Sequence, residues 1–295
     1  MRRPAVGKKN KKSPKLKLRE TGLIRQLSSP RRLTGPGSAA GLPLVPPQPS
    51  ARVSGWLVSV AASADGKALG NLVHETPALS QVIGGIAESA PYLWDLICAD
   101  APRFLRLLSN DPDRELASLL TATRRSATSA RTPAALMRTL RRAKAKAALL
   151  IAIADIGNVW VVEEVTRALT EFADMALGSA AGHLLRDAVR RGKLKPPDPR
   201  CPEITSGYIV LAMGKMGAYE LNFSSDIDLM VFFDAAAAAL TPDIEPVSFF
   251  VRLTRDLVKL LQERTEDGYV FRVDLRLRPD PASTQIAIST EAALG

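Results

Sequence analysis

The hydrophobic period of this chain changes once, and that change limits what it can fold into. From Ser54 to about Lys195, apolar residues recur three and four apart in PYLWDLICAD, APRFLRLLS, RELASLL, TPAALMRTLRRAKAKAALLIAIADIG and NVWVVEEVTRALTEFADMALGSAAGHLLRDAVRR. That spacing puts one apolar stripe on each helix and predicts a bundle. Thr132-Pro133 and Asn158 are expected helix starts, Gly157 and Gly192 stops. The run LKPPDPRCPEITSG, residues 194–207, holds four prolines and ends the pattern. Beyond it YIVLAMG (208–214) is a continuous apolar run, and IDLMVFFD (227–234) and YVFRVDLRLRP (269–279) read as strands, the last in strict alternation. Val247–Glu266 is amphipathic, with Phe250, Leu253, Leu257 and Leu260 or Leu261 on one face, and Asp267-Gly268 after it. The expectation is an α+β protein, with a helical domain over 51–200 followed by an α/β unit over 201–295.

Charge narrows the partners. The formal net charge is +10, but residues 1–33 carry twelve Lys or Arg against one acid, Glu20. The body that follows is nearly neutral, which argues against a nucleic-acid reader. With GPGSAAGLPLVPPQPS behind it, the segment 1–50 is expected to be a disordered, solvated tail. Hydrophobic residues make up 46% of the 295, enough for a globular core in the remainder. Cys98 and Cys201 are far apart, without a CxxC or a histidine cluster, so two reduced core thiols are expected. No apolar run reaches the roughly 18 residues of a membrane span, and the lysine-rich start lacks the apolar segment of a secretion signal. A cytoplasmic protein is expected. His74 and His183 read as packed or solvated, Trp56, Trp94 and Trp160 as core, and RRAKAK (141–146) as a solvated helix face.

The chemistry gathers in ELNFSSDIDLMVFFD, residues 220–234. In a strand Asp226 and Asp228 share one face while Ile227, Leu229, Val231 and Phe233 share the other. Like charges this close suggest a divalent metal or a shared proton. In the third run Asp274 stands on the polar face with Arg272, Arg276 and Arg278. If the two strands are neighbours, three carboxylates meet, as in oxygen-ligand sites for Mg2+ that also take substrate phosphates. A surface polar face with salt bridges from Asp274 to its arginines is the competing reading. MGKMG (213–217) is a glycine-bracketed turn after a buried strand, where Gly214 and Gly217 let backbone N–H groups approach phosphate and Lys215 adds charge. It is not a Walker A loop. Ser224 and Ser225 offer hydroxyls and N–H groups just before Asp226.

In this order the residues carry a resemblance. GKMGAYELNFSSDIDLMVFF followed by VDLRLRP closely resembles the nucleotidyltransferase core of the bifunctional glutamine synthetase adenylyltransferase/adenylyl-removing enzymes. Members carry two such cores, and ELNFSSD resembles the N-terminal, adenylyl-removing one. The resemblance covers 208–279 specifically and 130–190 loosely. It implies a nucleotidyltransferase-type core with a mixed sheet, Mg2+ held by Asp226, Asp228 and Asp274, and phosphate or nucleotide contacts from Gly214, Lys215, Gly217, Ser224, Ser225 and Arg276. Ser224 stands where the wider superfamily has glycine. The implied reaction is phosphorolysis: phosphate attacks the AMP phosphorus on a tyrosine of glutamine synthetase, releasing ADP. Implied partners are glutamine synthetase, ADP or ATP with phosphate, and the PII signal protein. Family members continue well past the third aspartate, so a truncated, incomplete core is expected. The alternative is a non-catalytic fragment that only binds glutamine synthetase or PII.

Overall fold

A computed structural model describes residues 22–28, 50–278 and 283–294. The expected tail over 1–50 therefore lies outside the described residues except at 22–28 and Ser50. Residues Leu23–Ser28 form a short helix, α1, in which Leu23, Ile24 and Leu27 are buried. That segment corrects the expectation of a tail with little to bury: three apolar residues within five make one helical stripe.

The chain packs as two compact units, one of residues 1–115 with 152–159 and one of 116–151 with 160–295. In the first, α1 is followed by α2 (Ala51–Val60), α3 (Ala64–Glu75), α4 (Pro77–Ser89), α5 (Pro91–Ala99) and α6 (Ala101–Ser109). Local chemistry sets their starts. Ser63 Oγ accepts the Gly66 N–H at 3.0 Å and Asp100 Oδ1 accepts the Arg103 N–H at 2.8 Å, while α4 and α5 each open on proline. Their core centres on Trp56, edge-on to Trp94 and Phe104 with ring centroids 5.7 and 6.2 Å apart. All three are buried, as are most residues on the α4 stripe. Each such large side chain removed from water contributes roughly 1.5–3 kcal/mol. Cys98 lies on α5 and is free but exposed, and Cys201 is too, so neither is the core thiol expected.

Helix α7 (Pro112–Ser129) and α8 (Pro133–Ile156) come next, then α9 (Val162–Arg190). Thr132 Oγ1 accepts the Ala135 N–H at 3.2 Å, as the Thr-Pro start predicts. Gly192, at φ +69°, ends α9. Asn158 does not begin a helix. It takes φ +54° in the link after α8, and α9 starts behind Val161, whose N–H donates to Glu164 Oε2 at 3.1 Å.

The second unit holds a four-stranded mixed sheet: β1 (Tyr208–Met213), β2 (Ile227–Phe233), β3 (Val273–Asp274) and β4 (Ile288–Ser289). Short helices α10 (Pro202–Thr205) and α11 (Gly214–Gly217) flank β1, and α12 (Pro246–Gln262) joins β2 to β3. A last short helix, α13, spans Thr290–Leu294. β2 is central, antiparallel to β1 and parallel to β3 and β4. Parallel neighbours need a crossover, which α12 supplies. The predicted apolar face of α12 is the buried one, with Phe250, Leu253, Leu257, Leu260 and Leu261 inward. Phe250 stacks on Phe233 of β2 with centroids 4.7 Å apart, and Leu253 packs with Leu185 and Ala188 of α9. Tyr208 is held under the sheet by a 2.9 Å hydrogen bond with Thr254 Oγ1, and burial pushes its phenol well above the usual range.

The third strand is shorter than its alternation predicts. Val270 and Phe271 are consecutive and both buried, with N–H groups donating to Leu261 O at 2.9 and 3.2 Å, so pairing starts only at Val273. Beyond Asp274 the neighbouring position along β2 is taken by β4, which pairs with Phe232 and Phe233. Leu277, expected on the buried side, is exposed. Among the described residues no helix is long and apolar enough to cross a membrane.

Candidate active site

Strand β2 alternates as its sequence dictates: Ile227, Leu229, Val231 and Phe233 are buried while Asp228 and its same-face neighbours are partly open. Asp228 is register partner to Met213 on one side and Asp274 on the other. The sheet thus sets two of the three predicted acids side by side on adjacent strands. Asp226 lies one residue before β2, where the Ile227 N–H donates to Arg272 O at 3.0 Å and holds the two chains together.

Arginines engage the outer two acids. Arg272 Nε donates to Asp226 Oδ1, and its Nη2 to Ser224 O at 3.1 Å. Arg276 clamps Asp274 with Nε at 2.9 Å and Nη2 at 2.5 Å from Oδ2, and its backbone N–H reaches Oδ1 at 2.8 Å. These bonds hold the Asp274 carboxyl below the usual carboxylate range, the Arg276 side chain being the largest cause. Among the described residues no group of three or more His, Cys, Asp or Glu is gathered closely enough to hold a metal ion. The donor types are nonetheless those a hard cation takes: three carboxylates, two of them on adjacent strand positions. Freeing Asp226 and Asp274 from their arginines would leave all three available.

The turn after β1 is built closely against these acids. Gly214 has φ +53°, and a Cβ there would stand 2.6 Å from Asp228 Oδ2. The positive φ favours glycine, and a Cβ there would oblige the Asp228 carboxylate to shift. Gly217 is equally tight for another reason, since its Cβ would meet the Ala212 carbonyl at 2.5 Å. Met216 between them is buried, and Lys215 is exposed, its carbonyl accepting the Glu220 N–H at 2.7 Å. The following loop is pinned by Leu221, fully buried, and by Tyr219, whose hydroxyl donates to Asp174 Oδ2 at 3.1 Å. Tyr219 adopts φ +60°, a left-handed conformation that a non-glycine residue takes at a cost. Ser225 Oγ donates to Asn222 Oδ1 at 2.6 Å, so its hydroxyl is internally occupied; Ser224 is exposed.

Two basic residues near the site lie in RRAKAK and are not the solvated face expected. Arg141 is only 1% exposed, and its guanidinium donates to the carbonyls of Met137, Leu260, Glu263 and Gly268. It ties α8 to the end of α12 and the turn before β3. Lys144, one turn on, places Nζ 4.5 Å from the Tyr269 ring centroid and 5.2 Å from that of Phe271. Burial is the main reason its pKa falls to about 8, with Arg272 and Arg141 adding repulsion. The signal for both was the absence of acids in TPAALMRTLRRAKAKAALL together with apolar neighbours at i±4, Met137 and Ala145 for Arg141 and Leu140 and Ala148 for Lys144, which leaves a cation on the buried stripe. His183 is buried as one of the packed options, and burial lowers its pKa.

The family model for glutamate-ammonia ligase adenylyltransferase matches residues 78–294. The bifunctional glutamine synthetase adenylyltransferase/adenylyl-removing enzyme of Bradyrhizobium diazoefficiens is 54% identical over 243 residues, 82% of this chain and 24% of the relative. That of Bradyrhizobium sp. strain ORS 278 is 60% identical over 213 residues, 72% and 22% respectively. That of Xanthobacter autotrophicus is 51% identical over 231 residues, 78% and 23%. The chain spans about a quarter of the length of the relatives it matches.

Proposed function

The chain belongs to the glutamate-ammonia ligase adenylyltransferase family, and we propose that its paired strand carboxylates serve Mg2+-dependent phosphorolysis, removing AMP from an adenylylated tyrosine of glutamine synthetase. The observation that carries the proposal is the register of Asp228 against Asp274, with Gly214 leaving Asp228 Oδ2 unobstructed. Asp226, Asp228 and Asp274 would hold the Mg2+. When bound, it supplies positive charge against the phosphoryl oxygens and the departing tyrosyl oxygen.

The chain's own groups do the rest. A phosphate oxygen bonds to the AMP phosphorus, the bond from phosphorus to the tyrosyl oxygen breaks, and the products are ADP and a tyrosinate that takes up a proton. Lys215 and the N–H groups around Gly214 and Gly217 face the phosphoryl oxygens, with Ser224 and Ser225 on the opposite loop. Arg276 keeps the Asp274 carboxyl ionised until substrate arrives and can transfer from it to a phosphate oxygen, while Arg272 holds Asp226 in place. Regulation by the PII signal protein and action in cytoplasmic nitrogen assimilation belong to the same proposal.

The test incubates adenylylated glutamine synthetase with this chain, Mg2+ and inorganic phosphate. ADP that forms only with phosphate is the expected product. AMP formed without phosphate would replace phosphorolysis by hydrolysis. A chain that binds glutamine synthetase and releases neither nucleotide is a binding module, the alternative favoured by the two arginine–aspartate pairs.

A further inference from the structure

Asp274 sits on a strand of two residues, with β2 on one side and, among the described residues, no strand on the other. So short a strand hardly fixes its own register. Only two ladder positions, Ile227 with Val273 and Asp228 with Asp274, join it to β2. In a parallel pair the backbone groups of successive residues point alternately toward the neighbour and away from it. The Arg272 carbonyl takes the Ile227 N–H, so the Val273 N–H points outward, off the open edge. There Gln262 Oε1 accepts it at 3.1 Å. Gln262 is the last residue of α12, and the same helix end holds the chain just before β3, where Val270 and Phe271 both donate to the Leu261 carbonyl. The helix end is itself fixed. Arg141 donates to the carbonyls of Leu260 and Glu263, on either side of Gln262, and to that of Gly268 in the turn that follows. Leu260 and Leu261 are buried. A side chain that projects from so restrained a backbone can place the group it bonds.

We propose that Gln262 is a positioning residue for Asp274: by accepting the Val273 N–H on the open edge of β3, it holds the register in which Asp274 stands beside Asp228. In this role the amide touches no reacting atom. It acts one residue away, through the β3 backbone, while the Asp274 carboxylate is oriented separately by Arg276. The two restraints differ in kind. Arg276 lies two residues after Asp274 and moves with it, so it can aim the carboxylate but cannot set where the strand lies against β2. Gln262 belongs to the crossover helix and supplies that external reference. The role uses only the acceptor oxygen, so another side chain of this length with an acceptor in the same place should serve. The consequence for turnover rests on the phosphorolysis proposed above, whereas the hold on the strand does not.

The experiment is amide hydrogen exchange followed by NMR at Val273 and Asp274 in the 295-residue chain, without Mg2+ or protein substrate, for wild type, Gln262→Met and Gln262→Glu. Methionine keeps the length and lacks the oxygen; glutamate keeps an oxygen and loses the donor. Gln262→Met is expected to speed exchange at Val273 by roughly threefold to tenfold, the loss of one hydrogen bond, and to speed it similarly at Asp274, whose N–H faces β2. Gln262→Glu is expected to leave both near wild type. In the ADP assay Gln262→Met should lower kcat by about the same factor at an unchanged KM for adenylylated glutamine synthetase, and Gln262→Glu should restore it. Exchange at Val273 that ignores Gln262→Met, acceleration that spares Asp274, or a Gln262→Glu chain as fast as Gln262→Met each overturns the proposal. Both amides accelerated at an unchanged kcat overturns it too, since Asp274 would then not depend on the register. A wild type that releases no ADP overturns the phosphorolysis reading instead and leaves the two amides to decide this one.

Discussion

Arg272 bonds to Asp226 and, through Nη2, to the Ser224 carbonyl 3.1 Å away, so one guanidinium bridges the strand that carries Asp274 and the serine loop before β2. Both members of the ion pair are well exposed, at 58% and 43% of their side-chain surface. Exposed pairs contribute little to stability, about 0–1 kcal/mol. Asp226→Asn is therefore expected to move the unfolding free energy by less than about 1 kcal/mol while reducing turnover by two orders of magnitude or more. Urea melts alongside the ADP assay separate the two effects. A large loss of stability would mark Asp226 as structural.

Gly214→Ala probes the fit of the turn to Asp228. The alanine would have to hold φ +53° and place Cβ 2.6 Å from Asp228 Oδ2. Strain of this kind costs on the order of 1–3 kcal/mol, and the carboxylate must swing away. A lower melting midpoint and a drop in ADP formation are expected together. Retained activity at an unchanged midpoint contradicts the assigned closeness.

Arg141→Met removes a buried guanidinium that four carbonyls share. Methionine fills much of the space but donates nothing, and the Gly268, Leu260 and Glu263 carbonyls lose a partner. A cost of about 3 kcal/mol or more is expected, read as a shift in the urea midpoint. Arg141→Lys should recover only part of it, because one ammonium cannot reproduce the planar fork.

The parts of this molecule that were legible in its sequence are those governed by local periodicity. The stripe of α12 and the two-faced β2 follow from residue spacing alone, and the Thr132-Pro133 start from capping chemistry. What was not legible depends on distant partners. Arg141 and Lys144 look solvated in RRAKAK because the carbonyls and rings that receive them come more than a hundred residues later. The alternation of YVFRVDLRLRP overstated its strand, since a ladder needs a free neighbour and β4 takes the place next to Phe232. The ion pair from Asp274 to a neighbouring arginine was one of the two sequence readings of that strand, whereas the pair between Arg272 and Asp226 was not among them.

Lys144 should give stability a signed pH dependence. Its folded pKa of about 8 lies below the ordinary 10.5, mainly through burial. The folded state thus loses its proton first, and between pH 8 and 10.5 the unfolded chain binds more protons. Stability from this group rises with pH across that window by up to about 1 kcal/mol per unit, and the cost of burying the charge is fully present below pH 8. Denaturation series at about pH 7.5, 8.5 and 9.5, which span the window between the folded and unfolded pKa, should show wild type gaining on Lys144→Met. A constant difference between the two would remove the depressed pKa.

The central claim is that Asp228 and Asp274, register partners on adjacent strands, act together on a phosphoryl group. The most direct test is Mg2+- and phosphate-dependent ADP release from adenylylated glutamine synthetase by wild type, Asp228→Asn, Asp274→Asn and the double variant. Each single change is expected to cost at least about a hundredfold, with the double variant little worse than either, the non-additivity of groups that act as a unit. Circular-dichroism melts should show all four folded. Single variants that keep near-wild-type ADP release, or that lose activity only by unfolding, would contradict the claim and leave these aspartates as a polar edge of the sheet.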